Sequence, residues 1–275
     1  MTDDHLDLDA LLSAAVDAAL VGGRVVRSAF GDARNVREKR PGDLVSDTDY
    51  ASERAIREVL THASPDIAFV GEEEGGERAE VGWFVDPLDG TANFVHGFPV
   101  VGVSVALVVG GEPVVGVVHA PMLDDLYTAV RGGGASRNGE AIRVSDRPIA
   151  SAIAATGFPF RAKRQRLGEY LPVFERAIRE FEDLRRAGSA SLDLAWTAAG
   201  VLDGYFEQAL ATWDVAAGAL LVREAGGVVT DWRGDRGAWL ASGDIVAGPR
   251  ATHARLLELI ADAVASTPSA ATSTG

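Results

Sequence analysis

One stretch constrains this chain more than any other: residues 83–94 read Trp-Phe-Val-Asp-Pro-Leu-Asp-Gly-Thr-Ala-Asn-Phe. The apolar run at 81–85 has the length and makeup of a buried strand, and Asp86-Pro87 is expected to stop it. Asp86 and Asp89 stand three residues apart with a proline between them, and Gly90 and Thr91 follow, where a new turn can begin. Two carboxylates at a stiff strand end repel each other and lose hydration, so the arrangement asks for a cation. Hard divalent ions such as Mg²⁺ take oxygen ligands. The unblocked amides of Gly90 and Thr91 and the Thr91 hydroxyl suit a phosphate. Carboxylates, metal and phosphate together point to metal-assisted phosphoryl chemistry.

Composition admits this chemistry and excludes several others. The 275 residues, 47% hydrophobic and 24% charged, suffice for one large soluble domain or two small ones. A formal net charge of -14 argues against a nucleic-acid-binding surface, because backbone phosphates would be repelled. Lys39 and Lys163 are the only lysines among 26 basic residues. No cysteine is present, which removes disulfides, thiol catalysis and thiolate metal sites. The five histidines are scattered, against a histidine-rich zinc site. The acidic start lacks the basic and apolar blocks of a signal peptide, and no apolar run reaches membrane-spanning length. The expectation is a cytoplasmic protein with no membrane partner.

Along the chain, apolar residues at helical spacing predict a first helix over 8–30, a polar loop over 31–40 and a second helix over 48–62. A short buried strand at 67–70 runs into the acidic turn at 71–75. Residues 101–109 and 113–119 read as paired strands joined at Gly110-Gly111, and 126–130 as a third. The glycines at 132–134 and the pair Asn138-Gly139 signal turns of a small hairpin. The second half alternates strand and helix: strands at 152–156, 184–186, 204–207, 228–230 and 245–247, helices at 166–180, 189–199, 215–224 and 252–264. Antiparallel strands first and alternating elements second make a mixed α/β (α+β) fold of layered sheets and helices. A subdomain join is expected near 149–151, and a disordered tail over 266–275.

Four further acids sit at the ends of buried elements. Asp49 and Asp214 open helices and read equally as N-caps or ligands. Glu72 lies in a run that reads as a solvated acidic turn or as a site. Glu207, at a strand end, reads as a surface acid or a site residue.

Taken together these residues resemble the inositol monophosphatase family, part of the Mg²⁺-dependent, lithium-sensitive sugar-phosphatase superfamily. The resemblance extends from about residue 8 to 265 and rests on two unbroken signatures: residues 83–94, and Trp213-Asp214-Val215-Ala216-Ala217-Gly218 running on to Arg223-Glu224-Ala225-Gly226-Gly227. It implies a layered αβαβα sandwich forming one catalytic domain over 1–265, and hydrolysis of myo-inositol 1-phosphate. Other activities of the superfamily are its rivals: fructose-1,6-bisphosphatase, histidinol-phosphatase or 3′-nucleotide phosphatase. A non-catalytic interaction protein is the alternative of another class.

The resemblance also implies the site. Glu72, Asp86 and the Leu88 carbonyl would bind one Mg²⁺, and Asp86, Asp89 and Asp214 a second. Glu72 would help hold a third, weaker ion. Gly90 and Thr91 would contact the phosphate, while Asp49 and Thr91 would orient and deprotonate the attacking water. Asp47 lies near, but the family's acid aligns with Asp49. Gly188, Ser189, Ala190 and Glu207 would meet the sugar hydroxyls. A homodimer is the family's usual state. No side chain is required as a covalent nucleophile. His96 and His119 are expected in structural hydrogen bonds, Trp196, Trp213, Trp232 and Trp239 in the core or an interface, and Arg185 and Arg186 either beside a second substrate phosphate or at a surface.

Overall fold

The computed structural model describes residues 6–40, 43–76 and 80–266. Five layers stack as helix, sheet, helix, sheet, helix. The first holds α1 (Leu8–Ala29) and α2 (Asp47–Ala63), joined by a hairpin of β1 (Arg37–Arg40) and β2 (Asp43–Val45). The second is a seven-stranded sheet, in chain order: β3 (Ala68–Gly71), β4 (Val81–Asp89), β5 (Gly102–Val109), β6 (Glu112–Ala120), β7 (Asp125–Val130), β8 (Gly134–Arg137) and β9 (Glu140–Ala141). Only β3 and β4 pair in parallel there. A short helix, α3 (Thr91–Val95), leaves the end of β4.

The second half supplies the other three layers. α5 (Ala190–Ala198) and α6 (Thr212–Glu224) form the middle one. The second sheet combines β10 (Ile153–Thr156), β11 (Asp183–Arg185), β12 (Gly204–Glu207), β13 (Val228–Thr230) and β14 (Ile245–Gly248) in the order β11-β10-β12-β14-β13. α4 (Lys163–Glu180) and α8 (Arg250–Ser266) cover its far face, and α7 (Trp239–Ser242) precedes β14.

Burial follows the layering. In α1 the residues Leu11, Ala14, Ala15, Ala18, Ala19 and Val26 face inward, an i, i+3, i+4 stripe packed on β5 and β6. Every residue of β5 is buried, because the sheet is covered on both faces. Val103, Val105 and Leu107 pack toward α1 and α2, whereas Ala106 and Val108 pack toward the middle layer. That middle cluster draws Phe84 and Val118 from the first sheet and Ala155 and Tyr205 from the second. The expected join near 149–151 is one 3-10 turn, Ile149–Ser151, and the chain on both sides of it shares this cluster.

Most predicted elements appear within a few residues of their expected ends, and the differences have physical causes. Residues 37–40 form a strand instead of a loop. They pair with residues 43–45 although all four are charged, so no apolar alternation marks them. β4 does not stop at Asp86 but runs on to Asp89, with a register irregularity between the two. Pro87 has no N–H for the ladder, and the chain absorbs it as a bulge. Asp49 and Asp214 are not N-caps. Ser46 caps α2 and Ala211 occupies the cap position of α6, so each acid sits one turn inside its helix. Residues 267–275, most of the expected tail, lie outside the described residues, and Ser266 ends α8.

His119 is structural, with Nδ1 3.2 Å from the Ala19 carbonyl and its pKa lowered by burial. His96 is exposed on the surface instead. Trp232 and Trp239 are buried, while Trp196 and Trp213 pack partly buried against the middle cluster. Asn138 and Gly139 both adopt positive φ (52° and 84°), as the two-residue turn between β8 and β9 requires.

Small residues set the spacing of the middle layer. A Cβ on Gly218 would lie 2.5 Å from Leu194 Cβ, an atom that cannot swing aside without moving α5. Helix propensity alone favours Gly218→Ala by about 1 kcal/mol. Overpacking at such a contact costs about 1–3 kcal/mol. The variant is therefore expected to be less stable by about 1 kcal/mol, read as a lower urea midpoint at unchanged m-value.

Candidate metal and phosphate site

Three chain segments deliver acids to one place. At the end of β4, the Asp86 Oδ1 accepts the Leu88 N–H at 3.0 Å, which closes the bulge around Pro87. The parallel pairing of β3 sets Gly71 opposite Val85, and the Glu72 N–H donates to the Val85 carbonyl at 3.1 Å. Glu72 is thus held beside Asp86. The third segment is the start of α6. Ser104, the register partner of Asp86 on β5, donates its hydroxyl to the Trp213 carbonyl at 2.9 Å. Asp214 follows, and its Oδ2 accepts the Ala211 N–H at 2.7 Å. Carboxylate oxygens of Glu72, Asp86 and Asp214 consequently lie within 4.8 Å of one another.

Asp89 lines the same cleft but is held apart from that trio. Its Oδ2 accepts the Ser189 hydroxyl (2.7 Å), the Ser191 hydroxyl (2.6 Å) and the Ser191 N–H (2.7 Å) at the start of α5. Ser191 has no marker in the sequence. Ser189 turns its hydroxyl to Asp89, whereas the resemblance placed it on a sugar hydroxyl.

The electrostatics are those of crowded, buried acids. Asp86 is raised well above the carboxylate range, first by burial and then by Glu72, Asp89 and Asp214. Asp89 is raised by burial and by Asp214, against its serine donors. Among the described residues one cation enters the cluster: Lys39 Nζ lies 2.9 Å from Glu72 and 2.8 Å from Glu73. Burial opposes its charge, but the two glutamates outweigh burial and raise its pKa. Sequence reasoning missed Lys39; its one signal was rarity, as one of two lysines.

Beside the acids stands a hydroxyl–carboxylate pair. Thr91 Oγ1 lies 2.8 Å from Asp49 Oδ1 and 3.1 Å from the Leu88 carbonyl. Asp49 Oδ2 accepts the Ser46 N–H (2.8 Å) and hydroxyl (2.6 Å), so the side chain is fixed from both ends. Burial raises its pKa despite these donors. Asp47 is exposed and bonded to Asn35. Gly90 turns the chain from β4 into α3 with φ of 93°, and a Cβ there would lie 3.0 Å from the Val100 carbonyl. α3 spans only five residues, so its dipole is small and its exposed amides are what it offers a phosphate.

The opposite wall carries the expected sugar-side residues. Gly188, Ser189, Ala190 and Glu207 line the cleft together with Asp86, Asp89, Gly90, Thr91 and Asp214. Glu207 is pushed up to about 7 by burial, although the Tyr205 hydroxyl donates to its Oε2 at 2.5 Å and Arg186 lies near. Gly157 leaves room for it, since a Cβ there would sit 2.0 Å from the Glu207 carboxyl. Arg186 also lines the cleft, its guanidinium 5.6 Å from the Phe158 ring centroid and 5.2 Å from that of Phe160. Arg185 instead pairs with Asp183. The structure therefore gathers the sequence-predicted site residues around one cleft, with Asp49 reaching it through Thr91.

Comparison with known proteins gives the family of the chain. Residues 7–265 match the model of the inositol monophosphatase family. The chain is 42% identical over 257 residues to an inositol-1-monophosphatase of Mesorhizobium japonicum, covering 91% of this chain and 96% of that one. It is 41% identical to a fructose-1,6-bisphosphatase/inositol-1-monophosphatase of Aquifex aeolicus (92% and 96% covered) and 42% identical to the Nus factor SuhB of Pasteurella multocida (87% and 91%). The crystal structure of the extragenic suppressor protein SuhB of Bartonella henselae superposes with a TM-score of 0.86 at 40% identity, over 91% of this chain and 98% of that one. The chain belongs to the inositol monophosphatase family.

Proposed function

We propose that this chain is a Mg²⁺-dependent phosphomonoesterase that hydrolyses myo-inositol 1-phosphate to inositol and phosphate. The observation that carries this reading is the convergence of Glu72, Asp86 and Asp214, from three segments, within 4.8 Å. Crowded carboxylates with only oxygen donors fit a hard divalent cation. In this reading Glu72, Asp86 and the Leu88 carbonyl hold one ion, Asp86, Asp89 and Asp214 a second, and Glu72 contributes to a third. Bound there, the ions neutralise the phosphate and make a water acidic near neutral pH.

The chain's own groups do the rest. Thr91 donates its proton to Asp49, which leaves its oxygen free to accept a hydrogen from the attacking water. In the reaction Thr91 would take the proton of the water and pass its own to Asp49, whose pKa burial raises, so that one proton in all reaches the carboxylate. The backbone of Gly90 and Thr91 receives the phosphate. Glu207 keeps one oxygen for a substrate hydroxyl while Tyr205 occupies the other. The reading includes a cytoplasmic setting and a homodimer; among the described residues no helix is long and apolar enough to cross a membrane.

A second reading, hydrolysis of a sugar bisphosphate, is favoured by Arg186. It lines the cleft, lies across two aromatic rings and has no carboxylate ion pair among the described residues. A nucleic-acid partner is opposed by the net charge of -14.

Phosphate release from a panel of sugar phosphates is expected to require Mg²⁺, to stop with chelator, and to be fastest with inositol 1-phosphate. A higher kcat/KM for fructose 1,6-bisphosphate would select the second reading. Asp214→Asn preserves an acceptor for the Ala211 N–H, so the chain should fold; loss of the charge is expected to lower kcat/KM about 100-fold or more, since even groups behind a ligand are worth about 10–100-fold. Unchanged turnover would remove Asp214 from the metal site.

Stability should report the same charges. Because Asp86 and Asp89 have raised pKa values, the folded chain holds protons that the unfolded chain releases above about pH 4. Their contribution therefore declines as pH rises. Mg²⁺ competes with those protons, so its increase in melting temperature should be larger at pH 8 than at pH 5. An equal shift at both pH values, by differential scanning fluorimetry, would contradict this.

A further inference from the structure

The start of α2 touches two of the three segments that carry the acids, the end of β4 and the turn after β3. Asp49 bonds Thr91, the Ser52 hydroxyl donates to the Pro87 carbonyl at 2.9 Å, and Glu53 faces the turn after β3. These residues fall on one helix face, at i, i+3 and i+4. Glu53 has no part in the ligand set, yet it is fully buried. Its Oε2 accepts the Glu73 N–H at 2.8 Å, and its Oε1 accepts the Glu74 N–H at 2.9 Å. The backbone opposite is shaped to admit it, because a Cβ on Gly71 would lie 2.3 Å from the Glu53 carboxyl. The next amides are also tied, Glu72 N–H to Val85 and Gly71 N–H to the Gly75 carbonyl. Four consecutive amides of the acidic turn thus have fixed acceptors.

We infer that Glu53 is a positioning residue for the metal site: by gripping the Glu73 and Glu74 amides it fixes Glu72 beside Asp86. The inference rests on the reading of Glu72 as a metal ligand. Repulsion from Asp86 and Asp214 opposes the placing of Glu72, which Val85 holds through its N–H and Lys39 through its carboxylate; the two amides that follow Glu72 are held by Glu53. Charge-assisted bonds from two amides to one buried carboxylate anchor that turn. Arg57, one turn later on α2, donates to Glu53 Oε1 at 3.2 Å, reaches the Gly75 carbonyl and Glu74 at 3.5 Å, and lies over the Phe69 ring, 4.1 Å from its centroid. An ion pair within the helix accounts for the contact to Glu53 but not for the two amides.

Glu53→Gln tests this directly. Either orientation of the new amide puts an NH₂ group against one of the two N–H donors. Calorimetric titration of the whole chain with Mg²⁺ is expected to show a dissociation constant raised about 10–100-fold, the usual cost of losing a group behind a metal ligand. Amide hydrogen exchange at Glu73 and Glu74 should quicken in the metal-free protein. Arg57→Met keeps both amide bonds while removing the contacts to Gly75 and Glu74, and is expected to raise the dissociation constant less than Glu53→Gln does. Gly71→Ala disturbs the same contact from the other side and should reproduce the loss, which keeps the test open if Glu53→Gln fails to fold. Unchanged Mg²⁺ affinity in Glu53→Gln, or in Gly71→Ala, or an equal loss in Arg57→Met, would overturn the inference. Absence of Mg²⁺ binding by the unaltered chain would instead overturn the metal reading, and this inference with it.

Discussion

Repulsion among buried carboxylates is the constraint around which the molecule is arranged. Asp86, Asp89 and Asp214 are nearly inaccessible, and Glu72 is only slightly exposed. In water these groups would separate and solvate; here each is bound by fixed donors. The Leu88 N–H serves Asp86, Ser189 and Ser191 serve Asp89, and the Ala211 N–H serves Asp214. Such bonds to ionised groups are about twice as strong as neutral ones, but they do not cancel the like charges. Lys39 supplies one compensating charge from the edge. The remaining charge is what a cation and a phosphate would complete.

The layered architecture makes that crowding possible. Strand β4 is rigid because β3 and β5 flank it and helices cover both faces of its sheet. Its last residues, the first turns of α2, α5 and α6, and the end of β12 meet at one cleft. Acids in the first turn of a helix are favoured by its dipole and by its unpaired amides, which is how Asp49 and Asp214 serve both their helices and the site. The middle helices approach closely because small residues face their neighbours: a Cβ on Gly116 would lie 2.9 Å from the Ala217 carbonyl, as Gly218 lies against Leu194. A larger side chain at either position would move α6, and with it Asp214.

Much of this was legible in the residues. The continuous apolar runs of β5 and β6 marked strands buried on both faces, and Asn138-Gly139 marked its turn. The β1–β2 hairpin was not legible, because the run of charged residues at 37–40 carries no apolar periodicity. The extension of β4 through Pro87 was hidden for a related reason: a proline reads as a stop, and only pairing with β5 shows it to be a bulge. Lys39, Ser191 and Glu53 have ordinary local sequence. Their roles depend on which backbone or acid lies across from them.

The sequence alone determined the chemical types at the site, the order of strands and helices, and, through two contiguous signatures, the family. These are properties of near neighbours, encoded by side-chain period and turn residues. Tertiary structure alone decided which oxygens share a space. Residues 72, 86 and 214 meet because β3 pairs with β4 in one particular register and because Ser104, opposite Asp86, catches the first turn of α6. Register and layer spacing arise from packing between distant segments, and no local pattern carries that information.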